Sequence, residues 1–512
     1  MNRIKFKHVL LVAGALAGFS GCSDTDLAVE NPNSADSKRV LATPTDVENL
    51  LGSYYRRYMS GLYTGTGNVW GMAAVQTFED YSTLSNNCMG QRIPIPRPAN
   101  DNTLGNPCGP EQAAVYNRES EVEHVASQIL AQIEGGSTVP AASVVTLGSA
   151  AQNARAIAFG QFLRGMSLGY LAIVYDSAAI ITPELMAANP ADGGTLDGYD
   201  KVFTASMDAF DKAIAATATG TSSFPLPPNW IQTPTPLDAA GFVRLIRTYK
   251  AYFRASVGRT PTERAAADWA AIVADAQAGI TSDFINITST TSGPRNDWVN
   301  QFYAYSTWHQ MTPFVIGMAD ISGSYNSWIQ QPLATRGGGS PFFMVTPDLR
   351  FPQGASRAAQ QADFATASCN ANATPCKRYF VNRTSDNAAA NSWGASNYDH
   401  ARWTSWKNKG DAGSGQNGAF PFFTVAELNL IEAEGHIRLN NGVAAAALIN
   451  KTRVANGLAP VTPVITAPVP VQTAFGFTDC VPRVPLPAPQ QGAGSPGTKC
   501  GDMFEALKWE KR

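Results

Sequence analysis

Charge is scarce in this 512-residue chain. Asp, Glu, Lys and Arg make up 15% of it, against roughly 25% in typical soluble domains, so Asn, Gln, Ser and Thr must carry much of the surface. Cations do not outnumber acids, 38 against 40, which excludes the basic face that a nucleic-acid binder needs. Five histidines are present; none stands in HExxH or beside an evident nucleophile. CxxC and HxxxH spacings are missing, which argues against a zinc site. Asn100-Asp101-Asn102 does not fit a calcium loop, and no metal or cofactor is expected. Glutamate does not occur from Arg264 to Ala426. A glycoside hydrolase site there would need Asp297, Asp320, Asp348 or Asp399, which show no pairing, whereas such enzymes hold two carboxylates about 5–10 Å apart. Gly413, Gly415 and Gly418 spell GxGxxG, but no strand precedes them and Pro421 follows, so they read as a flexible loop.

The one long apolar run at the start, Val9 to Phe19, is shorter than the roughly 20 residues a membrane span requires. Arg3, Lys5 and Lys7 precede it and Ser20-Gly21-Cys22 closes it, the pattern of a cleaved secretory signal over residues 1–21. Cys22 directly after Gly21 resembles a bacterial lipobox, with Phe19 where Leu is usual. Asp24 and Asp26 resemble the acidic tag of surface-exposed outer-membrane lipoproteins. Residues 22–512 are thus expected to form one domain, anchored through lipid on Cys22 to the outer face of an outer membrane. Loss of residues 1–21 removes three cations and no acid, moving the formal charge from −2 to −5.

Seven cysteines minus Cys22 leave six, an even number suited to an oxidising compartment. They allow fifteen pairings; the neighbour pairs Cys88–Cys108, Cys369–Cys376 and Cys480–Cys500 would each staple a loop.

Helical signals dominate. Thr43-Pro44-Thr45-Asp46 caps a stripe of Val47, Leu50, Leu51, Tyr54 and Tyr58. Thr260-Pro261-Thr262-Glu263 is a capping box expected to open a helix through Trp269, Ile272, Val273, Ala276 and Ile280. Further stripes run from Phe159 to Ile173, Phe203 to Ile214 and Phe242 to Phe253. Thr424 caps a helix that turns at Asn440-Asn441-Gly442 into a second, ending at Gly457, a pair resembling one tetratricopeptide-like unit of about 34 residues. The fold class is therefore mostly α: helix pairs with long loop-rich regions at 82–110, 281–423 and 458–501. The last is Pro-rich and expected to be an exposed insertion. Residues 502–512 read as a helix cut off in mid-element.

The 298–406 stretch holds six of the ten tryptophans, interleaved with Asn300, Gln301, Gln310, Asn326, Asn391 and Asn397. Flat rings among amides suit sugar capture. Candidate ligand-binding residues are Trp70, Trp298, Tyr303, Trp308, Trp328, Trp393, Trp403 and Trp406. Each is also a plausible core side chain.

Several segments in chain order resemble the SusD/RagB family of nutrient-binding outer-membrane lipoproteins. They are Asp26-Leu27 through Asn31-Pro32-Asn33, Ala42 to Val47, and Ala154-Arg155-Ala156 to Tyr170-Leu171 with Tyr175-Asp176. Phe210 to Ile214, Ala426 to Glu434, Ala447 to Leu458, and Phe504 to Arg512 complete the set. The family's acidic, aromatic and arginine-rich segment after the last helix is not present in the sequence. The resemblance implies a SusD-like helical body and a non-catalytic protein. Such a protein captures an oligosaccharide or peptide and passes it to a TonB-dependent SusC-like β-barrel transporter. A surface-anchored hydrolase or structural lipoprotein on a helical-repeat scaffold is the alternative.

Overall fold

The computed structural model describes residues 43–63, 69–77, 79–82, 99, 101, 103, 105–134, 146–189, 191–289, 293–294, 309–332, 343–367, 377–383, 397–404, 417–487 and 497–512. It is mostly α-helical. The principal helices are α1 (Pro44–Tyr63), α2 (Gly109–Glu134), α3 (Ala150–Val174), α4 (Tyr199–Thr219) and α5 (Ala239–Ser256). They continue as α6 (Trp269–Gln277), α7 (Val425–Arg438), α8 (Gly442–Ala455) and α9 (Met503–Glu510). The described strands pair only two by two.

Local chemistry fixes where these helices start. Ser149, Asp238, Asp268, Thr424, Asn441 and Asp502 each accept a hydrogen bond from a first-turn N–H, of α3, α5, α6, α7, α8 and α9 respectively, satisfying donors the helix leaves unpaired. The capping box at Thr260 behaves differently from its sequence reading. Its helix spans only Pro261–Ala265, and Asp268 restarts the chain as α6. An Asp three residues before Ala271 competes with helix continuation by capping a new one; its Oδ1 accepts from the Ala271 N–H at 3.0 Å.

Helix α3 is the centre of the body. Its composition and length would suit a membrane span, but 83% of that window is buried inside the protein, against α1, α2, α4 and α5. Glycines let its neighbours come close. A Cβ at Gly165 would lie 2.6 Å from the Phe210 ring, and one at Gly169 would lie 2.5 Å from the Phe253 ring. Phe159, Phe162, Phe210, Phe242, Tyr249 and Phe253 thereby form one buried aromatic array.

Polar groups cross this core and are tied to it. The Ile181 peptide donates its N–H to Glu123 Oε1 (2.6 Å), and its carbonyl accepts from Arg164 Nη2 (2.9 Å) and Ser127 Oγ (2.8 Å). The Tyr175-Asp176 segment also has a structural task. Tyr175 Oη donates to the Gln112 carbonyl (2.6 Å), and Arg259 reaches the Ala172 carbonyl (2.8 Å) at the end of α3 and the Asp176 carboxylate.

The segment 281–423 is an excursion whose two ends are zipped together. Phe284–Thr288 runs antiparallel to Gly418–Phe423, and α6 packs on α7 across the junction. It is not the structureless loop that its composition suggests. Its described part folds into a second core with Met311, Ile316, Tyr325, Trp328, Phe351, Phe380 and Tyr398, joined by Val481 and by Trp509 of α9. Residues 458–501 meet the expectation of an exposed insertion only in part: Val464, Val471, Phe475 and Phe477 are exposed, but the segment is paired and anchored. Val471–Ala474 pairs with Phe477–Cys480, Arg483–Pro485 pairs with Thr498–Cys500, and Val461, Val469 and Cys480 are buried beside α8 and α9. A disulfide joins Cys480 to Cys500, with Cα atoms 5.7 Å apart. Cys108 is disulfide-bonded as well; Cys88, Cys369 and Cys376 lie outside the described residues.

Helix α9 is an embedded element. Glu510 and Asp348 flank Arg350, and Trp509 Nε1 donates to Asp348 Oδ2 at 2.9 Å. Glu434 of α7 takes a two-pronged contact from Arg264, both arms at 2.8 Å, and another from Lys511 at 2.6 Å. Burial works against the charge of Glu434, yet these cations hold its carboxyl at about 2.

Two expectations follow. Gly169→Ala should destabilise the protein by about 1–2 kcal/mol in denaturant titration, because displacing Phe253 outweighs the helix preference for Ala; a more stable variant would show the contact is slack. Burial pushes the Glu123 carboxyl up to about 8 from an ordinary 4.5. Its contribution to stability is therefore full below about 4.5 and lost as pH rises to about 8. In melting curves, Glu123→Gln should gain on the parent steadily from about pH 5 to pH 8 and level off above; a pH-independent difference would contradict the shift.

Candidate ligand-binding cleft

A cleft of about 550 Å³ opens in the second core at the loop entering the short helix Ser324–Ile329. Hydroxyls of Ser322, Ser324 and Ser327 and amides of Asn326 and Gln331 line it, with the rings of Trp328 and Phe343. Among the described residues no lining side chain is ionisable. The volume is in the range of small-ligand sites.

Asp320 builds the loop. Its side chain is 1% exposed and accepts four hydrogen bonds. Oδ1 takes Ser322 N (3.1 Å), Ser322 Oγ (2.7 Å) and Val345 N (3.0 Å), while Oδ2 takes Tyr325 N (3.0 Å). A carboxylate has lone pairs for all of them. Gly323, at φ +83°, makes the turn, a left-handed conformation that costs glycine little. From the other side, Thr498 donates both its N–H and its hydroxyl to Asn326 Oδ1, each at 3.0 Å. Gly497 packs so closely on this helix that a Cβ there would lie 2.7 Å from Ile329. The strand closed by the Cys480–Cys500 disulfide is thus one support of the cleft.

Of the residues singled out in the sequence, Trp328 lines the cleft, but not as an exposed stacking platform. It is 3% exposed, stacked with Tyr325 (centroids 6.0 Å, 21°) and edge-on to Phe314. Its hydrophobic area is worth more in the core, leaving the cleft little more than its edge. Trp403 is 8% exposed and rests on Phe420 at 4.6 Å. Trp70 is half-buried in the first core, edge-on to Tyr170. The three belong to different packing groups and do not converge. Cys22, Trp298, Tyr303, Trp308, Trp393 and Trp406 lie outside the described residues. Asn326 was flagged by its position between aromatics. Ser322, Ser324, Ser327, Gln331 and Phe343 were not, although the Asp-x-Ser-Gly-Ser run is a legible turn signal.

Asp479 lies with Cys480 and Cys500 in the only grouping of potential metal-ligand atoms among the described residues; the two sulfurs are bonded to each other and offer no thiolate.

No protein-family model matches the sequence, and no curated protein is detectably similar to it. Solved structures similar to this chain include a SusD-like carbohydrate-binding protein from Bacteroides vulgatus (12% identity, TM-score 0.47, covering 82% of this chain and 76% of that one). A SusD superfamily protein from Bacteroides vulgatus matches at 11% identity and TM-score 0.48, covering 82% and 81%. A SusD-like carbohydrate-binding protein from Bacteroides fragilis matches at 13% identity and TM-score 0.48, covering 83% and 81%.

Asp320→Ala would orphan the N–H groups of Ser322, Tyr325 and Val345, at about 1–3 kcal/mol for each one left buried. The variant should melt earlier and be cut by protease within 321–345 while the helical body resists; an unaltered digestion pattern would refute this role.

Proposed function

We propose that this chain is a SusD-like nutrient-binding lipoprotein that captures a neutral glycan without cleaving it. The observation that carries this reading is the neutral lining of the cleft, three hydroxyls and two side-chain amides against ring edges. Sugars present the matching surface: hydroxyls that exchange hydrogen bonds with Ser, Asn and Gln, and apolar C–H faces for rings. Hydrolysis needs an acid and a base or nucleophile flanking the scissile bond, and the described residues of the lining offer neither. The ordered SusD/RagB-like motifs extend the reading. Lipid on Cys22 holds the protein to the outer membrane, facing outward. Bound glycan then passes to a TonB-dependent SusC-like barrel.

Screening the mature protein against oligosaccharide and peptide arrays, with calorimetry on the hits, should return a glycan and no cleavage product on prolonged incubation. Turnover, or peptides as the only ligands, would overturn the proposal. Anchoring has its own test. Cys22→Ala should leave the protein soluble and folded, since a fully acylated cysteine supplies the two or more chains that stable attachment needs. Continued sedimentation with outer membranes would rule that anchor out.

A further inference from the structure

The hydrogen bonds around the cleft fix which of its polar atoms give and which receive. Asn326 is the clearest case. A backbone N–H can only donate, so the atom facing Thr498 N at 3.0 Å must be the amide oxygen. The Thr498 hydroxyl fills the second lone pair at 3.0 Å. The Asn326 side chain therefore has no acceptor to spare, and its NH2 is the group it can offer to a ligand in the cleft. Ser324 is fixed in the opposite sense. Ser322 has one hydroxyl proton, and Asp320 Oδ1 claims it at 2.7 Å. The 2.9 Å contact between the Ser322 and Ser324 hydroxyls must then use the proton of Ser324. Its lone pairs remain for an incoming donor.

A donor and an acceptor held two residues apart, beside ring edges, complement an amide: a carbonyl that only accepts, an N–H that only donates and an apolar substituent. A plain sugar hydroxyl serves either role and gains nothing from such fixed polarity. With no ionisable group among the described residues of the lining, an amide is also favoured over a uronate or sulfate. We infer that Asn326 and Ser324 make the cleft selective for the acetamido group of N-acetylated amino sugars, with Thr498 as the positioning residue for Asn326. The inference rests on the proposed glycan-binding role of the cleft.

Chitohexaose and cellohexaose share a β-1,4-linked glucan backbone and differ in bearing acetamido groups or hydroxyls at C2, which makes them matched probes. Calorimetry should show the parent protein binding chitohexaose about tenfold more tightly, the scale of one well-satisfied buried polar group. Asn326→Asp still accepts from Thr498 but has no N–H to give, so it should fold with parental melting behaviour and lose the preference. Ser324→Ala should narrow it. Thr498→Ser should retain it and Thr498→Val reduce it several-fold, a rescue that bulk packing would not produce. Equal affinity of the parent for both hexaoses, or an unchanged preference in Asn326→Asp, would overturn the acetamido assignment alone. Binding of neither hexaose, or binding only of a peptide such as tetra-alanine, would overturn the glycan reading of the cleft together with it.

Discussion

A buried charge costs several kcal/mol unless it is paired, and Arg350 is where this constraint bears on the structure most heavily. The residue is 5% exposed. It donates to Asp348 at 2.7–3.1 Å and to both oxygens of Glu510 at 3.1 and 3.2 Å. Arg453, fully buried in α8, approaches Glu510 at 3.7 Å and donates to the Ala459 carbonyl at 2.7 Å. Removing one partner from such a set typically costs about 3–5 kcal/mol, because the survivor stays buried and uncompensated. The network spans the 281–423 excursion, the α7–α8 pair and α9. The second core, and the cleft at its edge, inherit their position from it.

The helical body does the complementary work. Helix α3 buries nearly every side it has, and the phenylalanine rings of α4 and α5 settle on its glycines. That leaves a frame stiff enough to carry an irregular excursion. The two-strand ladder of Phe284–Thr288 with Gly418–Phe423 pins the excursion's ends. Tyr55 Oη donates to Asn286 Oδ1 at 2.8 Å, tying that ladder to α1. Closing both ends before the segment packs reduces the entropy that ordering a long loop would otherwise demand.

The proposed recognition would draw on fixed polarity more than on large exposed rings. The tryptophans singled out in the sequence are spent, where they are described, on packing: Trp328 on Tyr325 in the second core, Trp403 on Phe420 and Trp70 on Tyr170 outside it. The cleft is left with small polar groups. Their directionality comes from neighbours that consume the other half of each group, Asp320 through Ser322 and Thr498 through Asn326.

The sequence by itself determined the helical class, the caps at Thr43 and Thr424, the turn at Asn440-Asn441-Gly442 and the main core stripes, because i, i+3, i+4 periodicity and capping chemistry act within a few residues. It also marked 281–423 as the region where the chain departs from helix. It misjudged the Thr260 helix, where one capping aspartate outweighed a continuous apolar stripe, and it read the whole of 458–501 as exposed, where proline content says nothing about which part packs against α8 and α9. The neighbour pairing Cys480–Cys500 was offered by the sequence and is present; only the tertiary structure decided that Trp328 turns inward and that Asn326 meets Thr498 across 172 positions. Those outcomes depend on contacts between segments distant in sequence, and no local pattern records which surfaces will be brought together.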